Sequence, residues 1–302
     1  MTNFLARLPA FLIIPLTIVL ALVISPTSLA DSPKPPAKVR VAAVHFVSRW
    51  ASPTENRKAI EPLVRKAAKE GAKIVVLPEA AITAYMSHDI RLTWQVDDRK
   101  INQGLQGVSH KAFAETVPGD STREFGKLAK ELGIYLTVPL VEFDSKQEKY
   151  FNTLALVDPA GKVALHYRKL NPWPWAECGW ASPGDRGHQF LDTPYGRLGL
   201  LICYDINFEP PKLKQNHVDH LLYSIAWVDE PKSDWFTRRL PDIARNANVN
   251  IIGANWSIPD HAGWSGYGRS LILLRDGRTA ARVKSDLGNE IIYADLDVPP
   301  RH

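Results

Sequence analysis

The sequence predicts an α/β protein, a mixed β-sheet with helices outside it or two such sheets face to face. Three features carry that expectation. A β-branched run, a run at helical period and a second short apolar run follow one another between residues 38 and 77. Hairpin signals break the alternation further along the chain. The composition, 45% hydrophobic and 23% charged over 302 residues, is that of a packed globular chain.

Lys38 to Val47 (KVRVAAVHFV) alternates and is β-branched, which predicts a strand. From Ala51 to Gly71, Ile60, Leu63, Val64, Ala67 and Ala68 recur at helical spacing and Gly71 supplies the stop. Lys73 to Leu77 is a short buried strand closed by Pro78-Glu79. The three make a βαβ unit with Glu79 just past the carboxyl end of its second strand, where open α/β sheets place chemistry. Tyr85 to Pro118 is polar and weakly periodic, an expected insertion that forms a lid or rim. Ser121-Thr122-Arg123-Glu124 reads as a capping box opening a helix that ends at Gly133. Ile134 to Phe143 is the next strand, and Tyr150 to Val157 and Lys162 to Lys169 form a hairpin around Asp158-Pro159-Ala160-Gly161. Gly196 to Tyr204 and His220 to Trp227 are strands, Ser233 to Val249 a helix and Asn250 to Asn255 a strand. The tail from Arg269 to Val298 is strand-rich, with an Asp276-Gly277 turn.

Residues 1–30 read as a leader. Arg7 is their only charge, Phe11 to Ile24 is nearly free of polar residues, and Ser28-Leu29-Ala30 supplies the small residues of a signal-peptidase site. The apolar run is short for a bilayer span. The expectation is a cleaved signal peptide at 1–30, a Pro-rich linker at 31–37, one domain at 38–302, a secreted or periplasmic location and no stable membrane insertion after cleavage. The formal charge of +5 is scattered rather than run together, which points away from nucleic acid. Two cysteines, Cys178 and Cys203, are too few for a disulfide scaffold, although one bridge between them is conceivable in an oxidising compartment.

Three apolar runs end in a reactive side chain: Val75-Val76-Leu77-Pro78-Glu79, His166-Tyr167-Arg168-Lys169 and Leu200-Leu201-Ile202-Cys203-Tyr204-Asp205. Strand ends at neighbouring sheet edges can bring carboxylate, ammonium and thiol to one pocket. That set suits acyl transfer, because a thiol of ordinary pKa needs a base or a positive neighbour to attack at neutral pH. His217-Val-Asp-His220 lacks a third metal ligand in register, and there is no Gly-rich phosphate loop, so neither metal nor nucleotide cofactor is implied.

These three segments resemble the Glu, Lys and Cys motifs of the nitrilase, or carbon-nitrogen hydrolase, superfamily, and Glu177 in Lys169-Leu-Asn-Pro-Trp-Pro-Trp-Ala-Glu177 resembles the second glutamate of its amidases. The likeness runs from about Val39 to Asp297. Asp192-Thr-Pro-Tyr-Gly-Arg-Leu-Gly199, Cys203-Tyr-Asp-Ile206 and Leu222-Tyr-Ser-Ile-Ala-Trp227 are most similar to the secreted vanin and biotinidase branch, whereas Asn207 stands where many cytoplasmic members carry Arg. The resemblance implies a four-layer α-β-β-α sandwich, a homodimer and a small-molecule amide substrate. It further implies that Cys203 attacks the amide carbonyl, that Glu79 is general base, and that Lys169 with the Tyr204 N–H holds the oxyanion. Glu177 would orient substrate or Lys169, and Trp227, with Trp173, Trp175, Trp180, Trp256 and Trp264, could line an apolar acyl pocket or pack in the core. The alternatives are a nitrilase attacking C≡N with the same thiol and a catalytically silent binding protein of the same fold.

Overall fold

The structure is a computed structural model, described here for residues 36–49, 51–85, 110–174, 177, 179–227, 235–257 and 268–300. The expected leader, Cys178, Trp175, Trp264 and most of the Tyr85 to Pro118 insertion lie outside the described residues. Among the described residues, no helix is long and apolar enough to cross a membrane.

Two six-stranded mixed sheets face each other. The first has the order β12-β1-β2-β3-β4-β5, built from β1 (Lys38–His45), β2 (Ile74–Val76), β3 (Tyr135–Asp144), β4 (Lys149–Val157), β5 (Val163–Arg168) and β12 (Glu290–Asp297). The second runs β11-β10-β9-β8-β7-β6, from β6 (Phe190–Thr193), β7 (Gly196–Ile202), β8 (His220–Ile225), β9 (Asn250–Asn255), β10 (Leu271–Leu273) and β11 (Thr279–Arg282). In each, three central strands are parallel and antiparallel strands flank them. Alternation sorts their side chains: Val39, Val41, Ile74, Val76, Leu154 and Tyr167 of the first sheet meet Leu198, Leu200, Leu222 and Ile252 of the second in one buried core. The opposite side of the first sheet, Ala42, Val44, Val75, Leu136 and Val138, buries against Ile60, Val64, Phe125 and Leu128 of α1 (Pro53–Lys69) and α2 (Asp120–Leu132). Leu213 of α3 (Pro210–Gln215) and Leu240 and Ala244 of α4 (Trp235–Ala247) pack on the second sheet. The expected α-β-β-α layering is the observed one.

Three local expectations need correction. Helix α2 starts at Asp120, and its N-terminal hydroxyl partner is Thr122, whose Oγ1 accepts the Gly119 N–H at 2.7 Å. Ser121 is not the cap because the Glu115 carboxylate takes both its N–H (2.6 Å) and its hydroxyl (2.5 Å). Second, the strand expected to reach Tyr204 stops at Ile202, and Cys203–Asn207 turns into a 3₁₀ helix. Third, β6 and α3 had no periodic signal, being 4 and 6 residues long. Gly126 of α2 and Gly161 of the β4–β5 turn fit backbone to backbone; a Cβ on Gly126 would sit 2.6 Å from the Gly161 carbonyl oxygen.

Candidate active site

Glu79 follows β2 by three residues, Lys169 follows β5 directly, and Cys203 follows β7 directly. β2 and β7 are parallel central strands, and β5, two antiparallel steps from β3, runs in the same direction as β2. Glu79 and Lys169 therefore lie at one edge of the first sheet and Cys203 at one edge of the second, and hydrogen bonds join the two edges. The Glu79 N–H donates to the Ile225 carbonyl at 3.2 Å, and Ser224 Oγ donates to the Leu77 carbonyl at 2.7 Å. The expected residues of both sheets therefore come together.

Lys169 Nζ donates to Glu79 Oε1 at 2.7 Å and to Glu177 Oε2 at 2.5 Å, with all three side chains at most 1% exposed. Asn152, on β4 and not expected from sequence, donates its amide to Glu79 Oε1 (2.7 Å) and Glu177 Oε1 (2.5 Å). The Trp173 N–H donates to Glu177 Oε2 at 2.6 Å, and the Tyr85 hydroxyl also bonds to Glu177. Both Glu177 oxygens are thus engaged. Glu79 Oε2 is buried with no partner among the described residues.

Charge follows from this packing. Burial opposes the Lys169 ammonium, but the Glu177 and Glu79 carboxylates outweigh it and hold the lysine protonated. Burial pushes the Glu79 carboxyl up, with Glu177 adding to it, against the pull of Lys169 and Asn152. The Cys203 thiol is likewise pushed up by burial and by Glu79, while Lys169 and the Ala226 N–H on its sulfur work the other way. A thiol held protonated needs a base beside it before it can attack.

Cys203 has φ 39°, in the left-handed region that costs a side chain of L-configuration energy. Four hydrogen bonds hold it there. The Tyr223 hydroxyl donates to the Cys203 carbonyl at 2.7 Å. Asp205 Oδ2 accepts the Ile202 N–H (3.2 Å) and the Tyr167 hydroxyl (2.7 Å), and its Oδ1 accepts the Asn171 N–H (2.8 Å). Asp205 thus ties the turn after β7 to the segment following Lys169, and burial pushes its carboxyl up to about 6. The Tyr204 N–H lies in the first turn of the 3₁₀ helix, where N–H groups lack intrahelical acceptors.

On the outer side of β5, Arg168 anchors the strand end that presents Lys169. It reaches Glu142 (2.5 Å), Asp144 (2.7 Å) and Asp185 (2.8 Å) and lies over the Phe151 ring at 3.9 Å. Gly184 packs so closely beneath that a Cβ there would be 2.1 Å from the Arg168 carbonyl oxygen.

A cavity of about 140 Å³ opens on the thiol, lined by Tyr85, Trp173, Cys203, Tyr204, Ala226 and Trp227. Trp227 and Trp173 are thus the pocket tryptophans. Trp180 packs beside Val141 and Ala181, and Trp256 is buried after β9, bridged to Phe46. Asn255 fixes the Trp227 main chain, its Oδ1 accepting the Trp227 N–H at 3.0 Å and its amide donating to the Trp227 carbonyl at 3.2 Å. Both ring nitrogens of His220 are occupied, by the Tyr195 carbonyl and the Asn250 amide. No group of three or more metal-ligating side chains occurs among the described residues. Cys178, the one partner a bridge to Cys203 could have, lies outside the described residues, and Cys203 is a free, buried thiol.

Sequence reasoning missed Asn152, Tyr85, Asp205 and Tyr223 as site residues. Asn152 had one signal, an amide side chain next to the apolar run of β4.

The sequence profile of the Carbon-nitrogen hydrolase family matches residues 40–299. Omega-amidase NIT2-B of Xenopus laevis is 33% identical over 277 residues, covering 87% of this chain and 90% of its own. Omega-amidase NIT2 of Homo sapiens is 28% identical over 249 residues, 78% and 80% of the two chains. Among solved structures, an amidase from Nesterenkonia sp. superposes with TM-score 0.69 at 20% identity, covering 89% and 94%. Nit3 of Saccharomyces cerevisiae, a member of branch 10 of the nitrilase superfamily, superposes with TM-score 0.70 at 24% identity, covering 88% and 92%.

Proposed function

The chain belongs to the carbon-nitrogen hydrolase family, and from that membership we propose that it is an amidase working through a thioester on Cys203. The observation that carries the reading is the unequal occupation of two buried carboxylates: Glu177 has both oxygens engaged, while Glu79 keeps Oε2 without a partner among the described residues. Glu79 takes the thiol proton through that oxygen as sulfur bonds to the amide carbonyl carbon. Lys169 and the Tyr204 N–H stabilise the oxyanion that forms. The C–N bond breaks as Glu79 returns the proton to the leaving amine. Glu79 then accepts a proton from water, which attacks the thioester, and the carboxylic acid leaves as the thiol is restored.

The omega-amidase relatives support an amide substrate, and the aromatic lining of the cavity supports a compact acyl group stacked beside Trp173 and Trp227. Similarity to the vanin and biotinidase branch rests on the segments 192–199, 203–206 and 222–227, and the secreted or periplasmic location on the leader at 1–30. Protein recovered from the cell envelope or medium should begin at Asp31, which N-terminal sequencing reads. A homodimer rests on the resemblance alone and is tested by light scattering.

The deciding experiment is intact-mass spectrometry of the protein with a panel of small amides and one nitrile. An acyl adduct mapped to Cys203, with amine or ammonia released and Cys203→Ser inert, is the expected result. Turnover retained by Cys203→Ser overturns the assignment. Absence of adduct and product across the panel favours the silent binding protein, and reaction of the nitrile alone favours the nitrilase.

A further inference from the structure

We propose that Asn152 is a positioning residue of this site, whose single amide group fixes Glu79 and Glu177 around Lys169 and leaves Glu79 Oε2 for proton exchange. Two acceptors face that amide, so its NH₂ end must point at them. It donates to Glu79 Oε1 at 2.7 Å and to Glu177 Oε1 at 2.5 Å, and its own main-chain carbonyl accepts the Lys169 N–H at 2.8 Å. One residue, 3% exposed, therefore touches both carboxylates and the main chain of the lysine between them.

The connectivity makes this more than a contact. Lys169 Nζ bridges Glu79 Oε1 to Glu177 Oε2, and Asn152 Nδ2 bridges the same Glu79 Oε1 to the other oxygen of Glu177. The four bonds close a ring. Glu177 is also held by the Trp173 N–H and the Tyr85 hydroxyl, but the lysine alone would leave the Glu79 carboxyl free to rotate about one ammonium; the second bridge fixes that rotation. Because both donors share Oε1 of Glu79, Oε2 is turned away from the ring. Serine or threonine at position 152 has a single O–H and lacks the fork of two N–H donors that the ring requires.

The groups that face Glu79 are Lys169 at the end of β5, Glu177 in the following turn, Cys203 at the end of β7, Tyr85 beyond β2 and Tyr223 on β8. Asn152 adds a neutral donor to that set, favouring the ionised form of Glu79 without adding charge. The inference rests on Glu79 being the base for Cys203, and its test reads the thiol rather than amide turnover.

The rate of alkylation by iodoacetamide is measured against pH for the full chain and read at Cys203 by peptide mass mapping. Sulfur bonds to the reagent's methylene carbon, iodide leaves and the thiol proton passes to Glu79, so the rate falls where Glu79 is already protonated. Asn152→Ser should move that acid limb up by about one pH unit, so that alkylation on the limb slows about tenfold. Asn152→Asp, which adds a third carboxyl, should move it further. An acid limb unmoved in both folded variants overturns the proposal. If neither variant folds, the wild-type protein with ¹⁵N-labelled asparagine decides: the Asn152 side-chain amide signals should shift with an inflection at the pH of the alkylation limb, and static signals overturn the proposal. Limb shift in a protein that hydrolyses no amide removes the amidase reading and keeps Asn152 in place; amide hydrolysis with an unmoved limb does the reverse.

Discussion

Glu79 and Glu177 are two buried carboxylates on one ammonium, and what distinguishes them is how many donors each oxygen receives. Glu177 accepts from Lys169, Asn152 and the Trp173 N–H, which suits a fixed counter-charge; Glu79 has the oxygen left over. Glu79→Gln is therefore expected to lower kcat/KM by about 10²- to 10⁴-fold and to prevent acyl-enzyme formation, both checked by steady-state kinetics and intact mass. Acylation at the wild-type rate in that variant would remove Glu79 from the base role. Because burial raises the Glu79 carboxyl and the base must be ionised, kcat/KM should fall as pH drops through a limb above the ordinary carboxylate range. Lys169→Met leaves two carboxylates buried around no cation, so at pH 7 it should cost about 3–5 kcal/mol in denaturant unfolding. That cost should shrink as pH falls and one carboxyl takes up a proton. Glu79, Lys169 and Cys203 were legible because each stands at the end of a strand the sequence predicts. Asn152 and Tyr223 were not, since a polar side chain within a strand reads the same whether it faces a charge or a carbonyl. Asp205 stood in a quoted motif, yet its role depends on Tyr167 and Asn171, more than 30 residues away in sequence.

At the scale of elements, the junction of β7 with its 3₁₀ turn holds the nucleophile in a conformation that its own backbone disfavours. Cys203 at φ 39° carries a Cβ where glycine would carry none. Ordinarily an Ala is at least as stable as a Gly at a buried position, but here the order should reverse. Of the two inactive variants, Cys203→Gly should be more stable than Cys203→Ala by about 0.5–1 kcal/mol, measured by denaturant unfolding. Equal stability, or Ala ahead, would mean that the turn relaxes freely and that Tyr223 and Asp205 do not impose the geometry. The sequence showed a strand here but not its end, because Ile202-Cys203-Tyr204 is apolar enough to continue a strand; the stop is set by Asp205 reaching back to the Ile202 N–H. A carboxylate a few residues away likewise sets the start of α2, where Glu115 occupies Ser121.

For the whole molecule, alternating helices and strands pointed to an α/β fold of one mixed sheet or two, because period-2 and period-3.6 patterns record which face each element buries; the four-layer sandwich was what the family resemblance implied. Which strands are neighbours was not legible, since β12 closes the first sheet against β1 across about the whole length of the domain. The second sheet carries a charge-state commitment that can be measured on the entire fold. His220 opens β8, its Nε2 on the Tyr195 carbonyl and its Nδ1 facing the Asn250 amide, a pattern satisfied by the neutral ring with its proton on Nε2. A second proton would have to go on Nδ1, against a donor. Burial, with Arg275 adding to it, lowers the ring to about 4 from an ordinary 6.5, despite Asp219 and the Tyr195 carbonyl pulling the other way. Between these values the unfolded chain binds more protons than the folded one, so stability rises with pH across the window and falls as pH drops from 6.5 toward 4. The contribution at neutral pH is on the order of 3 kcal/mol, and it is lost by about pH 4. Other buried groups titrate in the same range, Glu79 and Asp205 with the opposite sign, so the quantity to measure is the difference between wild type and His220→Gln at each pH. That difference should be constant above pH 6.5 and decline steadily toward pH 4. A difference that stays flat from pH 7 to pH 4 would show that His220 charges inside the folded sheet, and that the Tyr195 and Asn250 contacts do not fix its tautomer.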